Sequence, residues 1–325
     1  MVRRPGARAA PLVPAGTPFV PIRAAGNGTA TIRAVSVTSV DTERDPRLED
    51  YRNVSDSDLL ERRGIFVAEG RLVVARLLHS RLTTRSVMVT RPAYESLKTV
   101  LDTQPDVPVY VVPQAAMDQV TGFHIHRGCL AVGERPKPVS WRALIADASG
   151  ADDANPRGFA PLERSVVIAL ERIGDADNIG GIFRNAAAFG AGAVLLDSAS
   201  TDPLYRKAIR TSMGAALAIP FARAEPWPGV LRDLRADGFA VVAMTPAIDA
   251  MPLRECAGRI AGLRVAMVLG HEGDGLSGAA LEACEYQARI PMAPGVDSLN
   301  VASAAAVAMY EFAGLAGPTK VGPYA

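Results

Sequence analysis

The chain has 325 residues, 49% hydrophobic and 21% charged, with a formal net charge of +1. That balance suits an ordinary globular protein of about two domains and excludes a disordered chain or a uniformly basic nucleic-acid binder. No run of ~18 apolar residues predicts a transmembrane helix, and the prolines of PLVPAGTPFVPI argue against a signal-peptide core. The three scattered cysteines, Cys129, Cys256 and Cys284, offer neither a disulfide framework nor a metal site, which fits a reduced cytoplasmic compartment.

In chain order, residues 1–36 read as a disordered tail rich in Pro, Gly, Ala and Arg. Residues 1–40 carry five arginines (Arg3, Arg4, Arg8, Arg23, Arg33) and no acid, leaving 30 basic against 34 acidic residues in the remainder. The tail is either inert or a basic arm for RNA. A small α/β domain is predicted over 37–135. Its elements are a helix from Leu48 to Arg62, a strand in 64–70 and a helix over 71–80 with Leu72, Val73, Leu77 and Leu78 on its apolar face. Strand 85–90, helix 93–103, strand 107–112, helix 113–122 and strand 127–135 complete it. Within it, residues 62–91 hold seven arginines against one acid, Glu69. Arg62, Arg63, Arg71, Arg76, Arg81 and Arg85 are therefore candidates for phosphate contacts, or else a solvated face.

Residues 136–163 combine prolines with the polar run DASGADDANPRG and read as a linker, with a short helix over Trp141 to Ala146. A second α/β run occupies 164–316, with buried strands over 164–172, 191–197, 218–224, 239–245, 264–270 and 286–292. The helices between them predict a doubly wound, largely parallel sheet with ligands beyond the carboxyl ends of its strands. Helix 181–190 should stop at Gly190. The Ala-rich helix 298–314 should be capped by Ser298.

Three loops could carry chemistry. DADNIGGIFRN (175–185) links a strand to a helix N-terminus, which attracts anions, and Gly180 and Gly181 permit close approach of backbone or ligand. Arg184 can present a planar cation to a phosphate. LGHEGDGLSG (269–278) contains G-x-G-x-x-G at Gly273, Gly275 and Gly278, with Asp297 about twenty residues on, so a nicotinamide-dependent oxidoreductase is one reading. Against it, Glu272 would oppose a pyrophosphate and only one further strand follows. In IPMAPGVDSLNVASAAA (290–306), Asn300 is a poor first-turn residue unless its amide has a partner. Together the loops hold glycines, one Arg, one Glu and small amides, with no metal cluster or nucleophile triad.

These three motifs, in order and at the C-terminal end, resemble the SpoU/TrmH family of RNA 2′-O-ribose methyltransferases, and SMGAAL (212–217) fits too. The resemblance covers about 164–316, and 40–135 look like the family's N-terminal RNA-binding domain. It implies a trefoil-knotted sheet flanked by helices and a homodimer, for which the apolar C-terminal helix is a candidate element. It implies S-adenosylmethionine held by Gly270, Ile290 and Leu299, with Glu272 and Ser298 nearby. Asn178, Arg184 and Asn300 match positions tied to catalysis and RNA, so the expected catalytic set is Arg184, Asn178, Glu272, Ser298 and Asn300. The family's proposal of an arginine as general base conflicts with a guanidinium that keeps its proton at ordinary pH; phosphate binding and charge stabilisation suit Arg184 better. The substrate is read as ribosomal RNA, with tRNA the alternative, and with no membrane or metal.

Overall fold

A computed structural model describes residues 35–52, 56–122, 124–125, 127–149 and 166–313. Most of the expected tail, much of the expected linker and the last residues lie outside these. The described residues all fall in one compact unit, 34–325.

The first half builds a five-stranded sheet in the order β1-β4-β3-β5-β2, from β1 (Val37–Ser39), β2 (Ile65–Glu69), β3 (Thr84–Val89), β4 (Val109–Val111) and β5 (Cys129–Glu134). β1, β4 and β3 run parallel, while β5 is antiparallel to both β3 and β2. Its helices are α1 (Arg71–His79), α2 (Arg91–Leu101) and α3 (Gln114–Thr121). The apolar face of α1 is Val73, Val74, Leu77 and Leu78. Leu72, expected on it, is 38% exposed, because the burial stripe sits one residue further round the helix. The helix expected from Leu48 to Arg62 is not continuous. A 3-10 turn over Pro46–Tyr51 ends where Arg52 turns extended, and a separate π-helical turn covers Asp58–Arg62. Leu48 and Tyr51, three apart, are both buried, a spacing that 3-10 geometry places on one side. Val35, read as tail, packs against the first core.

The second half builds a seven-stranded, wholly parallel sheet in the order β10-β12-β9-β11-β6-β7-β8. Its strands are β6 (Val166–Leu170), β7 (Ala193–Leu196), β8 (Phe221–Arg223), β9 (Phe239–Met244), β10 (Met251–Pro252), β11 (Arg264–Leu269) and β12 (Tyr286–Arg289). Helices cover both faces, so its inner strands are apolar throughout: all five residues of β6 are buried. Val166, Ile168 and Leu170 face α5 (Ala176–Phe189), α6 (Arg206–Thr211), α8 (Leu253–Arg259) and α10 (Val301–Ala313). Val167 and Ala169 face α4 (Trp141–Ser149), α7 (Gly229–Ala236) and α9 (Gly278–Ala283). β10 and α8 escaped the sequence reading: two strand residues carry no periodicity, and α8 has only Leu253 and Cys256 buried.

Two corrections concern the middle of the chain. α4 lies inside the expected linker, yet Trp141, Leu144 and Ile145 belong to the core on the α7–α9 face. The two halves are also not merely tethered. Leu204, Ile209 and Leu217 of the second half complete the core formed by Leu60, Phe66, Val73 and Leu77 of the first. Arg135 Nη2 donates to Asp202 Oδ2 at 2.6 Å, and Arg210 pairs with Glu69 at 3.6 Å. Replacing Trp141 with Ala should lower the unfolding free energy by ~3–5 kcal/mol in a urea titration. A change within ~0.5 kcal/mol, usual for surface positions, would return α4 to a linker.

Candidate active site

The parallel strands all end at one edge, and the chain leaves β6 and β11, side by side, toward opposite faces of the sheet: α5 lies on one, α9 on the other. Such a switch point opens a crevice at the carboxyl ends. The three motif loops meet there. Asn178 Nδ2 donates to Glu272 Oε1 at 2.5 Å, across 94 residues of sequence. Asn300 Nδ2 donates to Asn178 Oδ1 at 2.7 Å, across 122 residues. Asn300 Oδ1 in turn accepts from the backbone N–H of Ala302 and Ser303, at 3.0 and 3.2 Å. The partner that Asn300 needed is therefore Asn178, and Asn300, not Ser298, caps α10. Ser298 lies exposed in the preceding loop; the cap sits one position before Val301, where the backbone first becomes helical.

Local packing makes this contact possible. A Cβ on Gly180 would lie 2.7 Å from the Ala208 carbonyl oxygen, and one on Gly181 would lie 2.8 Å from the Ala302 Cβ. The glycine pair thus serves approach of helices on both flanks, α6 and α10. Asn185 Nδ2 adds a bond to the Ala302 carbonyl at 2.7 Å. α5 is capped at its start by Asp175, whose carboxylate accepts from Asp177 N–H at 2.8 Å, and it ends at Gly190 in the left-handed conformation.

The second loop is a tight turn. Gly275 N–H donates to the His271 carbonyl at 3.0 Å, and His271 Nδ1 accepts from the N–H of Gly273 and Asp274 at 3.0 and 3.2 Å. Those N–H groups are spent within the turn, so G-x-G-x-x-G is not a dinucleotide cradle here. Gly270 lies beneath the turn; a Cβ there would meet Gly275 and Leu276 backbone at 2.5 Å. Gly270 follows β11 and Ile290 follows β12, with β9 between them, so they flank a gap of two strand spacings, about 10 Å. Ile290 is half-buried against the core, whereas Leu299 is 41% exposed. Arg184 is exposed on α5 and has no ion pair among the described residues.

Several residues that brace this site escaped the sequence reading. Glu171, 3% exposed at the end of β6, accepts from Trp227 Nε1 at 2.8 Å and from Ser277 N–H and Oγ–H at 2.8 and 2.7 Å. Ser277 Oγ in turn accepts from Ala280 N–H and caps α9. Arg172 adopts φ of 55°, uncommon for a non-glycine residue, and its guanidinium reaches the Gly275 carbonyl at 3.4 Å. A charged pair ending an otherwise apolar buried strand was the available signal. Thr245 follows β9 in the gap between Gly270 and Ile290, and its N–H donates to the Ala288 carbonyl at 3.0 Å.

The arginine run is dispersed. Arg63 and Arg85 both pair with Asp50, and Arg62 pairs with Asp58 at 3.2 Å. Arg76 donates to the Met213 carbonyl. Arg71 and Arg81 are exposed. Beside α5, the Thr211 hydroxyl and then the Lys207 ammonium hold the Asp177 carboxyl below its ordinary range.

Two tests follow from this geometry. Asn300→Ala should cost ~0.5–2 kcal/mol through the lost cap, while Ser298→Ala should stay within ~0.5 kcal/mol, both read by urea denaturation. Because the folded Asp177 pKa is lowered, its stabilising contribution is complete above the unfolded value of ~3.9 and is lost as pH falls through the folded value. Thr211→Val should therefore raise the Asp177 pKa, measured by carboxyl carbon NMR; an unchanged titration would remove Thr211 as the main cause.

A sequence profile described as the SpoU rRNA methylase family matches residues 165–310. A Mycobacterium bovis protein named as an uncharacterized tRNA/rRNA methyltransferase is 40% identical over 271 residues, 82% of this chain and 88% of its own. An AdoMet-bound rRNA methyltransferase from Sinorhizobium meliloti aligns with a TM-score of 0.67 and 26% identity, over 85% of this chain and 97% of its own. The SpoU methyltransferase AviRb from Streptomyces viridochromogenes, in complex with AdoMet, shares the fold at a TM-score of 0.65 and 23% identity, over 83% of this chain and 98% of its own. With the motif loops converging at the carboxyl edge of a parallel sheet, the chain belongs to the SpoU family of RNA methyltransferases.

Proposed function

We propose that the protein transfers the methyl group of S-adenosylmethionine to a ribose 2′-hydroxyl of ribosomal RNA. The observation that carries this reading is the hydrogen-bonded chain Glu272–Asn178–Asn300, which ties the three motif loops at one crevice. The gap flanked by Gly270 and Ile290 fits the cofactor. Leu299 and Val296, 41% and 48% exposed, are unspent apolar surface in the loop that leads from Ile290 to α10, and Ser298 lies exposed in the same loop. Backbone at Gly270, Ile290 and Leu299 would hold S-adenosylmethionine there. When bound, it supplies a methyl carbon activated by a sulfonium centre.

The chain's own work is positioning and charge stabilisation. Arg184, exposed and without an ion pair among the described residues, holds a substrate phosphate and favours alkoxide character on the attacking oxygen. Glu272, fixed by Asn178, accepts a hydrogen bond from the ribose hydroxyl. Asn300 keeps Asn178 in place and Ser298 stands at the same rim. The five-stranded half serves as the RNA-binding domain, and Arg71 and Arg81, exposed and without an ion pair among the described residues, are its foremost phosphate contacts.

Placement of β12 between β9 and β10, with the 290–300 loop returning to α5, supports a trefoil knot at this edge. Val307 and Tyr310, 41% and 63% exposed on α10, support a homodimer through that helix. No helix among the described residues is long and apolar enough to cross a membrane. The three buried free cysteines support a cytoplasmic setting.

Arg184→Ala should lower single-turnover methylation ~10²–10³-fold, and Arg184→Lys should keep most of it. Equal loss in both variants would overturn simple charge stabilisation. Mapping 2′-O-methyl groups in total RNA from deletion and parent cells should show a lost ribosomal site. A lost tRNA site with an unchanged ribosomal map would transfer the activity to tRNA.

A further inference from the structure

A cleft of about 840 Å³ opens between the two halves of the molecule. Its size lies within the ~300–1,000 Å³ of sites that hold small organic groups. One wall is the end of α1 through Leu82. The opposite wall is the segment from Gly214 into β8, and Pro136–Val139 with the first turn of α4 closes the third side. Ala187 of α5 also lines it. That residue lies nine positions beyond Asn178, about 14 Å at 1.5 Å per residue, toward the amino ends of the strands. The cleft is thus separate from the crevice where the motif loops meet.

Its charge is one-sided: six basic side chains line it (Arg76, His79, Arg81, Arg135, Lys137 and Arg223) and no acid does. The deeper pair is half compensated, since the single carboxylate of Asp202 faces Arg135 at 2.6 Å and Arg223 at 3.9 Å. Arg76 is held by the Met213 carbonyl, which orients its charge without cancelling it. Arg81 and Lys137 are exposed and have no ion pair among the described residues. Three uncompensated cations therefore rim an apolar floor that includes Leu82, Ile219 and Phe221. Phosphates at the rim and a flat base against the floor are the complement of this arrangement. Because the free cations sit at the open mouth, the fit is to a continuing polyanion.

We propose that this cleft anchors a single-stranded segment of the substrate RNA, with phosphates on Arg81, Lys137 and Arg76. The proposal rests on the RNA methyltransferase reading and adds a second point of RNA attachment remote from methyl transfer. The test uses the full chain and a labelled mixed-sequence RNA of about 20 nucleotides, longer than one such binding site, in anisotropy titrations across a salt series. Arg81→Ala with Lys137→Ala should weaken binding roughly tenfold at low salt and reduce the slope of log K against log salt by about 1.4, ~0.7 for each lost phosphate. Binding of S-adenosylmethionine by calorimetry should stay unchanged. Ala143→Trp, at the exposed mouth of the cleft, should weaken RNA binding while keeping the slope. Asn178→Ala should instead lose methyl transfer at parental RNA affinity and salt slope, so failure of the active-site reading is separable from failure of the anchor. A parental salt slope in the double variant overturns the proposal. So does saturable binding of free adenosine monophosphate that Ala143→Trp abolishes, which would assign the cleft to a small nucleotide.

Discussion

Helix α5 has no room for side chains at two consecutive positions, and much of the molecule depends on that constraint. Gly180 admits the backbone of α6 and Gly181 admits Ala302 of α10. A single methyl at Gly180 would have to displace a carbonyl oxygen, which a packed interior accommodates only at a cost of about 1–3 kcal/mol. The close fit on the α10 side brings Asn178 within reach of Asn300. The fit on the α6 side fixes the helix whose Ile209 enters the core of the first half and whose Arg210 meets Glu69. One pair of glycines therefore links the five-stranded half, the switch-point crevice and the start of α10 in a single packed unit.

How much of this was legible depended on burial. Strands of a parallel sheet covered on both faces read as continuous apolar runs, so β6, β9 and β11 stand out in the sequence. The end of α5 was legible because only the left-handed backbone at Gly190 makes a glycine there informative. Strand order was not legible, since a buried strand carries no mark of its neighbours. Capping was misassigned because Ser298 and Asn300 are both good caps, and two residues of loop path decide between them. α4 was legible as a short helix over Trp141 to Ala146, but the surrounding prolines masked its place in the core, although Trp141, Leu144 and Ile145 have the spacing of a buried helical stripe.

The site illustrates a different limit. Its residues were reachable through resemblance, but their relation was not. Nothing in the spacing of Asn178, Glu272 and Asn300 says that one amide bridges the other two groups. Nor does it say that His271 consumes the N–H groups of a glycine-rich turn. Charge was likewise misleading when counted along the chain. Seven arginines in 62–91 suggest one patch, yet Asp50 alone engages Arg63 and Arg85. Of these ion pairs only Arg62–Asp58 is exposed on both sides and worth little in stability, while Asp50 is half-buried; all subtract cations from any RNA surface.

What remains uncompensated has a direction. Arg184 stands on α5 six residues after Asn178 and three before Ala187, so it lies between the crevice and the interdomain cleft. An RNA strand seated in the cleft would meet Arg184 before reaching Glu272, with about 14 Å of helix to cross. Because the two halves share a core, that span is set by packed side chains and not by a hinge. Selection of the target nucleotide would then be metric as well as chemical: the ribose presented to the crevice would be the one lying a fixed distance along the strand from the anchored phosphates. Such a ruler acts through distance along the strand, and it leaves the Asn178 and Asn300 amides to positioning, since they bond to Glu272, to each other and to the start of α10.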